Sequence, residues 1–464
     1  MELTIMKKLI IAIAAAGVFM QACNSKLDIN PSDSVSSDEA LSDYSGITAA
    51  LNGVYDVLQQ TEYYGRNYLV MTEANADNIY IAASNSNRFL SSFRHDYASV
   101  DADVRDFWSA AYTGIMRANR VLEAVDGISA TQEQKNIAKG EALFLRALMH
   151  FDLVNVFARP YAQGGGSQPG VPLKLKYVID QPARATVKEV YDQVIADLVQ
   201  AKELLSGVGE ATKNHASKYA AEALLARVYL QKGDKANAIV EATNVINAGF
   251  TLQPSGVDYY NVPNSNEEIF TLIYQDAETT GSDNLGNMYQ KPGYGDFRVS
   301  PDLMSTFDAA DSRRVYFDKL GDEDVNRKFS GQSGKQGMTS PKLLRLAEMY
   351  LIRAEANSTA NPAAAIEDVN VIREKRNLDK LTGVAPAAVL DSVLAESRRE
   401  FMFEGHRYFD LIRNGRGVNR NFCGSILAIK APCTIEANAF NIIWPIPEKE
   451  RNTNPGIEQN QGYE

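Results

Sequence analysis

Apolar residues return at helical spacing through most of this chain, and that period constrains the fold more than any other feature. Between Ser42 and Gln60 they fall at Ile47, Leu51, Val54, Tyr55 and Leu58, a stripe along one face of a helix. Val104 to Val125 repeats the spacing through Phe107, Trp108, Ala111, Ile115, Ala118 and Leu122, and Gln132 to Phe157 repeats it again. Further helices are predicted over Val187 to Leu205, Ala216 to Gln231, Lys235 to Asn247, Lys342 to Asn357 and Pro362 to Arg376. Helical character returns from Pro386 to Arg413. A chain of 464 residues is longer than one hydrophobic core usually organises. Paired helices stacked in series solve that problem, because each pair needs to bury its apolar face only against its neighbours.

The pair at 216–247 carries a more specific pattern. Ala226, Tyr229, Gly233-Asp234 and Ala238-Ile239 occupy the small, aromatic, turn and small positions of a tetratricopeptide repeat. Small residues let two antiparallel helices approach closely, and Gly233 turns the chain between them. The pair at 342–376 has the same form, with Pro362 at the start of its second helix. Four helix pairs of similar length predict a mainly α, tetratricopeptide-like array, with the pairs lying within 42–248 and 341–413. Two excursions interrupt it. Residues 61–100 have no clear period but hold Tyr63, Tyr64, Tyr68, Tyr80, Phe89, Phe93 and Tyr97. Residues 249–340 contain Gly, Pro, Asn and Asp clusters, one β-like run (Ile269 to Tyr274), and Tyr289, Tyr294, Phe297 and Tyr316. Long irregular segments inside a compact domain are usually functional when they are not disordered, and the aromatics argue against disorder.

The N-terminus predicts export. Lys7 and Lys8 precede an apolar run from Leu9 to Met20, followed by Gln21-Ala22-Cys23. That is the layout of a secretory signal over residues 1–22, read best from Met6, and its apolar run is too short to span a bilayer. Cys23 stands at the acceptor position of a bacterial lipoprotein signal, so it is the predicted lipidation site. Residues 23–40, rich in Ser and Asp, would tether the lipid to a single folded body over 41–464. Hydrophobic content of 45% and charged content of 23% suit a globular domain. Removal of Glu2, Lys7 and Lys8 with the signal takes the formal charge from −11 to −12, which argues against nucleic-acid partners. With Cys23 lipidated, Cys423 and Cys433 remain, ten residues apart, and in an oxidising compartment they read as one local disulfide. Zinc would need further ligands close by, and the four histidines are scattered; neither a metal nor a cofactor is expected.

Signatures of catalysis are thin. Glu396, Glu400 and Glu404 lie four residues apart beside Arg398, Arg399 and Arg407. Such spacing could support acid–base chemistry, but it more often marks an ion-pair network on a helix. No Ser sits in a nucleophile elbow, and no Gly-rich phosphate loop follows a strand. The chain is therefore expected to bind without doing chemistry. Trp108 and Trp444 read as core. The tyrosines of the excursions stand among polar residues instead, and an aromatic face with a hydroxyl suits a sugar ring.

Several stretches together resemble the SusD/RagB family of outer-membrane nutrient-binding lipoproteins. The resemblance rests on Phe107-Trp108-Ser109-Ala110-Ala111-Tyr112, Arg117 to Leu122, Glu141-Ala142 with Leu145-Arg146-Ala147, Phe151-Asp152-Leu153, and Gly170-Val171-Pro172. It continues through Tyr350 to Ala356, Arg398-Arg399-Glu400-Phe401, Glu404 to Leu411, Trp444-Pro445-Ile446-Pro447 and Asn454-Pro455-Gly456. It implies a right-handed superhelix of about four tetratricopeptide units wrapped by irregular segments. It also implies a surface-facing, outer-membrane lipoprotein that acts as lid and ligand-capture subunit of a SusC-type TonB-dependent barrel, which imports the ligand. The ligand of such proteins is commonly a glycan and in some members a peptide; a protein-binding repeat scaffold is the third reading. Trp108, Glu404 and Arg407 would carry fold rather than ligand. No family motif transfers the ligand residues, so these are read from the excursions, which are expected to converge on one rim of the array. Tyr80, Tyr289 and Tyr294 are the candidate ring platforms, and Asn85, Arg88 and Arg298 the candidate hydrogen-bond donors.

Overall fold

The computed structural model describes residues 40–208, 213–254, 259–261, 264–278, 280–335, 338–423 and 429–463. The signal, Cys23 and the tether up to residue 39 lie outside the described residues. Eight helices form the array: α1 (Tyr44–Gln59), α2 (Ala102–Ala124), α3 (Gln132–Phe157), α4 (Val187–Leu204), α5 (Lys218–Lys232), α6 (Lys235–Ile246), α7 (Leu346–Asn357) and α8 (Pro362–Lys375). Each packs on the next: α1 on α2, α2 on α3, and so on to α7 on α8. Four pairs therefore stack in series, and α6 meets α7 directly although the whole second excursion separates them in sequence. Two further helices, α9 (Val389–Glu400) and α10 (Arg407–Arg413), close the end, with α9 against both α7 and α8.

Local chemistry starts and stops these helices. Thr131 caps α3 and Thr186 caps α4, each in a reciprocal capping box with the residue three on, Gln134 and Glu189; both boxes satisfy amides that the first turn leaves unpaired. Gly233 ends α5 with φ +84°, and Asp234 then caps α6. Glycine enters that left-handed region without steric cost. Pro362 opens α8 behind the cap residue Asn361. The core runs continuously through the array, and both tryptophans belong to it. Trp444 is 1% exposed; its ring meets Phe107 and Phe157 edge-on, and its backbone N–H donates to the Val156 carbonyl at 2.7 Å.

Two predicted helices need correction. Residues 342–345 are not the start of α7 but strand β6 (Lys342–Arg345), paired antiparallel with β2 (Glu268–Thr271). Backbone pairing with β2 and the buried ion pairs Lys342–Glu268 and Arg345–Glu267 hold this segment extended. The predicted helical stretch 386–413 breaks at Phe401–His406, between α9 and α10. There Phe403 and Gly405 have positive φ, and a Cβ on Gly405 would lie 2.5 Å from Thr72 Oγ1. The remaining strands are short: β1 (Ile79–Ile81), β3 (Phe297–Val299), β4 (Phe317–Leu320), β5 (Glu323–Asn326), β7 (Val418–Asn419) and β8 (Thr434–Ile435). β7 pairs with β8 beside a disulfide between Cys423 and Cys433, whose Cα atoms are 5.3 Å apart.

Candidate functional site

The two excursions meet in one seam. β1, from the first, pairs antiparallel with β3, from the second, in the register Ile79↔Val299, Tyr80↔Arg298 and Ile81↔Phe297. Backbone bonds extend it at both ends, from Ala82 N–H to the Asp296 carbonyl at 2.9 Å and from Ser300 N–H to the Asn78 carbonyl at 2.9 Å. Beyond β1, the Asp296 carboxylate accepts from both the backbone N–H and the hydroxyl of Ser86. β3 also packs on β5 of the β4–β5 hairpin, which places Glu323 over the seam. One Glu323 oxygen accepts from Arg298 Nε at 2.8 Å and the other from the Tyr80 hydroxyl at 3.2 Å.

The six predicted ligand residues have different fates here. Arg298 is buried, with its guanidinium given to Glu323 and to the Gly295 and Phe297 carbonyls. Tyr80 is 7% exposed; its ring packs beside Phe422, and burial with the adjacent Glu323 charge pushes its hydroxyl up to about 12. Tyr289 is 1% exposed and enclosed by Phe297, Phe329 and Phe403. These three hold the seam together and offer no free face to a ligand, which corrects the expectation. Asn85 spends its amide locally: Nδ2 donates to the Ala82 carbonyl and Oδ1 accepts from Asn87 N–H, both at 2.8 Å. That is a turn-building role.

Arg88 and Tyr294 remain. The guanidinium carbon of Arg88 lies 3.8 Å from the centroid of the Tyr294 ring, and Nη2 donates to its hydroxyl at 2.8 Å. Both side chains are half-buried, in two loops whose residues Ala83, Ser84, Asn87, Lys291 and Pro292 are exposed. A cation stacked on an aromatic ring, fixed between two loops and partly open to water, gives a planar platform with N–H donors at its margin. Sequence reasoning missed Glu323, which holds Tyr80 and Arg298 of the seam from a hairpin it did not predict; the Gly321-Asp322 turn, with Gly321 at φ +63°, is the local signal for that hairpin. Most other aromatics of the excursions are core: Tyr63, Tyr64, Tyr68, Phe89, Phe93, Tyr97 and Tyr316 are all buried.

The three glutamates of α9 and the turn after it are occupied by cations. Glu400 accepts from Arg313, Arg345 and Arg376, Glu404 from Arg345 and Lys328, and Glu396 from Arg373 and Arg399. Burial alone would raise the Glu404 carboxyl, but Arg345 and Lys328 outweigh it and hold it at about 2. A carboxylate so fixed is a poor proton carrier near neutral pH. No cluster of His, Cys, Asp and Glu among the described residues has the makings of a metal site.

A helix-pair array whose long excursions fold back into one aromatic, hydrogen-bonding edge is the architecture of a binding protein built on a repeat scaffold. Comparison with known proteins gives it a family. Residues 26–230 match a SusD-like family described as "Starch-binding associating with outer membrane", and residues 324–463 match the SusD family itself. The SusD-like protein P2 of Formosa agariphila is 27% identical over 519 aligned positions, covering 99% of this chain and all of that protein. The starch-binding protein SusD of Bacteroides thetaiotaomicron is 34% identical over 126 residues, 27% of this chain and 22% of its own. A SusD superfamily crystal structure from B. thetaiotaomicron superposes with a TM-score of 0.84 at 27% identity, covering 90% of this chain and 99% of that one. A putative sugar binding protein from Bacteroides vulgatus does so at 0.84 and 29%, over 91% and 99%. This chain belongs to the SusD/RagB family.

Proposed function

We propose that this protein captures a nutrient, a glycan before a peptide, at the outer membrane and passes it unaltered to a SusC-type TonB-dependent barrel on which it sits as a lid. In this reading Cys23 carries the lipid that holds it at the cell surface. The observation that carries the proposal is the Arg88–Tyr294 pair, a half-open platform on the seam where the two excursions join. The matched family is described as starch-binding and one similar structure as a putative sugar binding protein, which favours carbohydrate as the first ligand class to try. A sugar ring has an apolar C–H face for an aromatic ring and hydroxyls for guanidinium donors. The test is calorimetry of the mature protein with a panel of oligosaccharides and peptides, for the wild type, Arg88→Ala and Tyr294→Ala. Each substitution should weaken glycan binding by roughly 2- to 10-fold, the equivalent of about 0.5–1.5 kcal/mol, with the melting temperature nearly unchanged. Undiminished affinity in both variants would put the ligand elsewhere, and binding of peptides alone would reverse the choice of class.

A further inference from the structure

The described surface exposes nine large hydrophobic side chains, and four of them lie within five residues: Leu175 (38% exposed), Tyr177 (50%), Val178 (46%) and Ile179 (101%). Scattered exposed apolar residues need no explanation, whereas a contiguous patch marks an interaction site. The backbone beneath this patch is not loose. Asn119 Nδ2 donates to the Lys174 carbonyl at 2.9 Å and to the Lys176 carbonyl at 3.3 Å, and the buried Arg146 reaches the Leu175 carbonyl at 3.4 Å. Glu123 accepts the Tyr177 N–H at 2.8 Å, and Lys174 Nζ donates to the Val178 and Asp180 carbonyls. Arg120 lies 5.3 Å over the Tyr177 ring. Side chains on α2 and α3 therefore fix the main chain of 174–180 while its apolar side chains stand in water. Fixing them in advance reduces the entropy lost on docking, and tyrosine and arginine are the residues that most often carry binding energy at protein interfaces.

The path of the chain indicates what this patch faces. Asp43 forms a bridge with Ser129 just beyond the C-terminal end of α2, the same end whose Asn119, Arg120 and Glu123 carry the 174–180 loop. The segment leading back to Cys23 thus joins the fold at the end of the molecule that displays the patch. Resting on the lid reading above, we propose that Leu175–Ile179 is a docking surface for the extracellular rim of the barrel. Its complement is an apolar socket edged by carboxylates, because Lys176 is exposed in the middle of the patch with no ion-pair partner among the described residues.

The test co-expresses the full-length lipoprotein with its cognate SusC-type barrel and measures co-purification in mild detergent. Ile179→Glu and Val178→Glu should each lower recovery of the barrel at least tenfold, and Val240→Glu, at an exposed position on α6, should leave it unchanged. If the wild type brings down the barrel and the loop variants do so equally well, the docking surface is wrong and the lid reading survives. If the wild type brings down no barrel, the lid reading itself falls and the docking surface with it. A second arm mixes the mature soluble protein with vesicles of phosphatidylethanolamine and phosphatidylglycerol. Vesicle binding that Ile179→Glu abolishes would show that the loop meets lipid instead and would overturn the proposal; no vesicle binding, together with the tenfold loss of barrel, supports it.

Discussion

Arg345 and Glu404 form a two-pronged ion pair inside the protein: Nε donates to Oε2 at 3.0 Å and Nη2 to Oε1 at 2.8 Å, and both residues are buried. The pair ties strand β6, at the start of the last helix pair, to the turn after α9. Around it stand Glu267, Glu400, Arg376, Arg313 and Lys328, so each carboxylate is shared by two or three of the cations. Such a network is weak evidence of net stabilisation, but losing one member leaves charges buried without partners. Glu400→Gln is expected to destabilise the fold by about 3–5 kcal/mol in urea unfolding. Lys188→Ala, which breaks the exposed Lys188–Asp192 pair, should leave the unfolding midpoint where it was. Equal effects of the two substitutions would refute this account of the cage.

Asp152 offers a test with a defined sign. It lies buried beneath Tyr63 and Tyr64, both of which donate to its Oδ2 at 2.7 Å. Burial raises its carboxyl from 3.8 to about 6, against the tyrosines' hydrogen bonds. Between those values the folded protein keeps a proton that the unfolded chain has released, so this group's contribution to stability falls as pH rises. Asp152→Asn retains an oxygen to accept both hydroxyls and cannot ionise. Relative to the wild type, the variant should gain about 2–3 kcal/mol as pH goes from 4 to 7, and nothing further above that. The difference between the two proteins is the required measurement, because buried imidazoles slope the opposite way: burial lowers His95 to about 4 and His150 to about 3. A difference that does not change with pH would show that Asp152 titrates as an ordinary carboxylate.

Tyr289 separates packing from recognition. Its hydroxyl is buried without a hydrogen-bond partner among the described residues, and a buried unsatisfied group costs about 1–3 kcal/mol. Tyr289→Phe should therefore be neutral or up to about 1 kcal/mol more stable, with glycan affinity unchanged. Tyr289→Ala should lose about 3–5 kcal/mol, as for a large aromatic removed from a core. Weaker ligand binding in a well-folded Tyr289→Phe would return this ring to the binding site.

What the sequence revealed depends on the range of the physics involved. Helices α3 and α4 are legible because their periods and capping boxes lie within a few neighbouring residues, and α3 runs from Gln132 to Phe157 as predicted. Strand β6 is not legible, since the apolar pattern of Lys342 to Arg345 continues into α7 and only the distant partner β2 draws it out. The same limit governs the site. Tyr289 stands beside polar Asn287 and Gln290, so residue type suggests exposure, yet its burial is decided by Phe329 and Phe403 from other segments. That the excursions would meet could be argued from their shared character. Which of their aromatics face water depends on partners far away in sequence, such as Glu323 for Tyr80 and Phe403 for Tyr289.

The disulfide should matter beyond its own loop. Phe422, next to Cys423, packs against Tyr80 of the seam, and Arg420 N–H donates to the Cys433 carbonyl at 2.8 Å. Replacing both cysteines by serine should cost about 2–3 kcal/mol in the loop-entropy account and lower the melting temperature. An unchanged melting temperature would mean that β7–β8 pairing alone holds this segment.

Cys23 is the expected anchor point of the chain. Among the described residues no helix is long and apolar enough to cross a bilayer. In the lid reading proposed above, two contacts retain the chain at the membrane, the lipid and the barrel. These two contacts must be separated experimentally, because a docked lid sediments with membranes even when unlipidated. Wild type and Cys23→Ala should therefore be expressed without the barrel, fed an alkyne fatty acid, and washed with alkaline carbonate. The wild type should carry the label and stay in the pellet; Cys23→Ala should lose the label and be released. A labelled Cys23→Ala, or an unlabelled wild type that withstands the wash, would remove Cys23 as the anchor. On membranes pelleted without the carbonate wash, barrel co-expression should restore part of the retention of Cys23→Ala, and Ile179→Glu in the same chain should abolish that rescue.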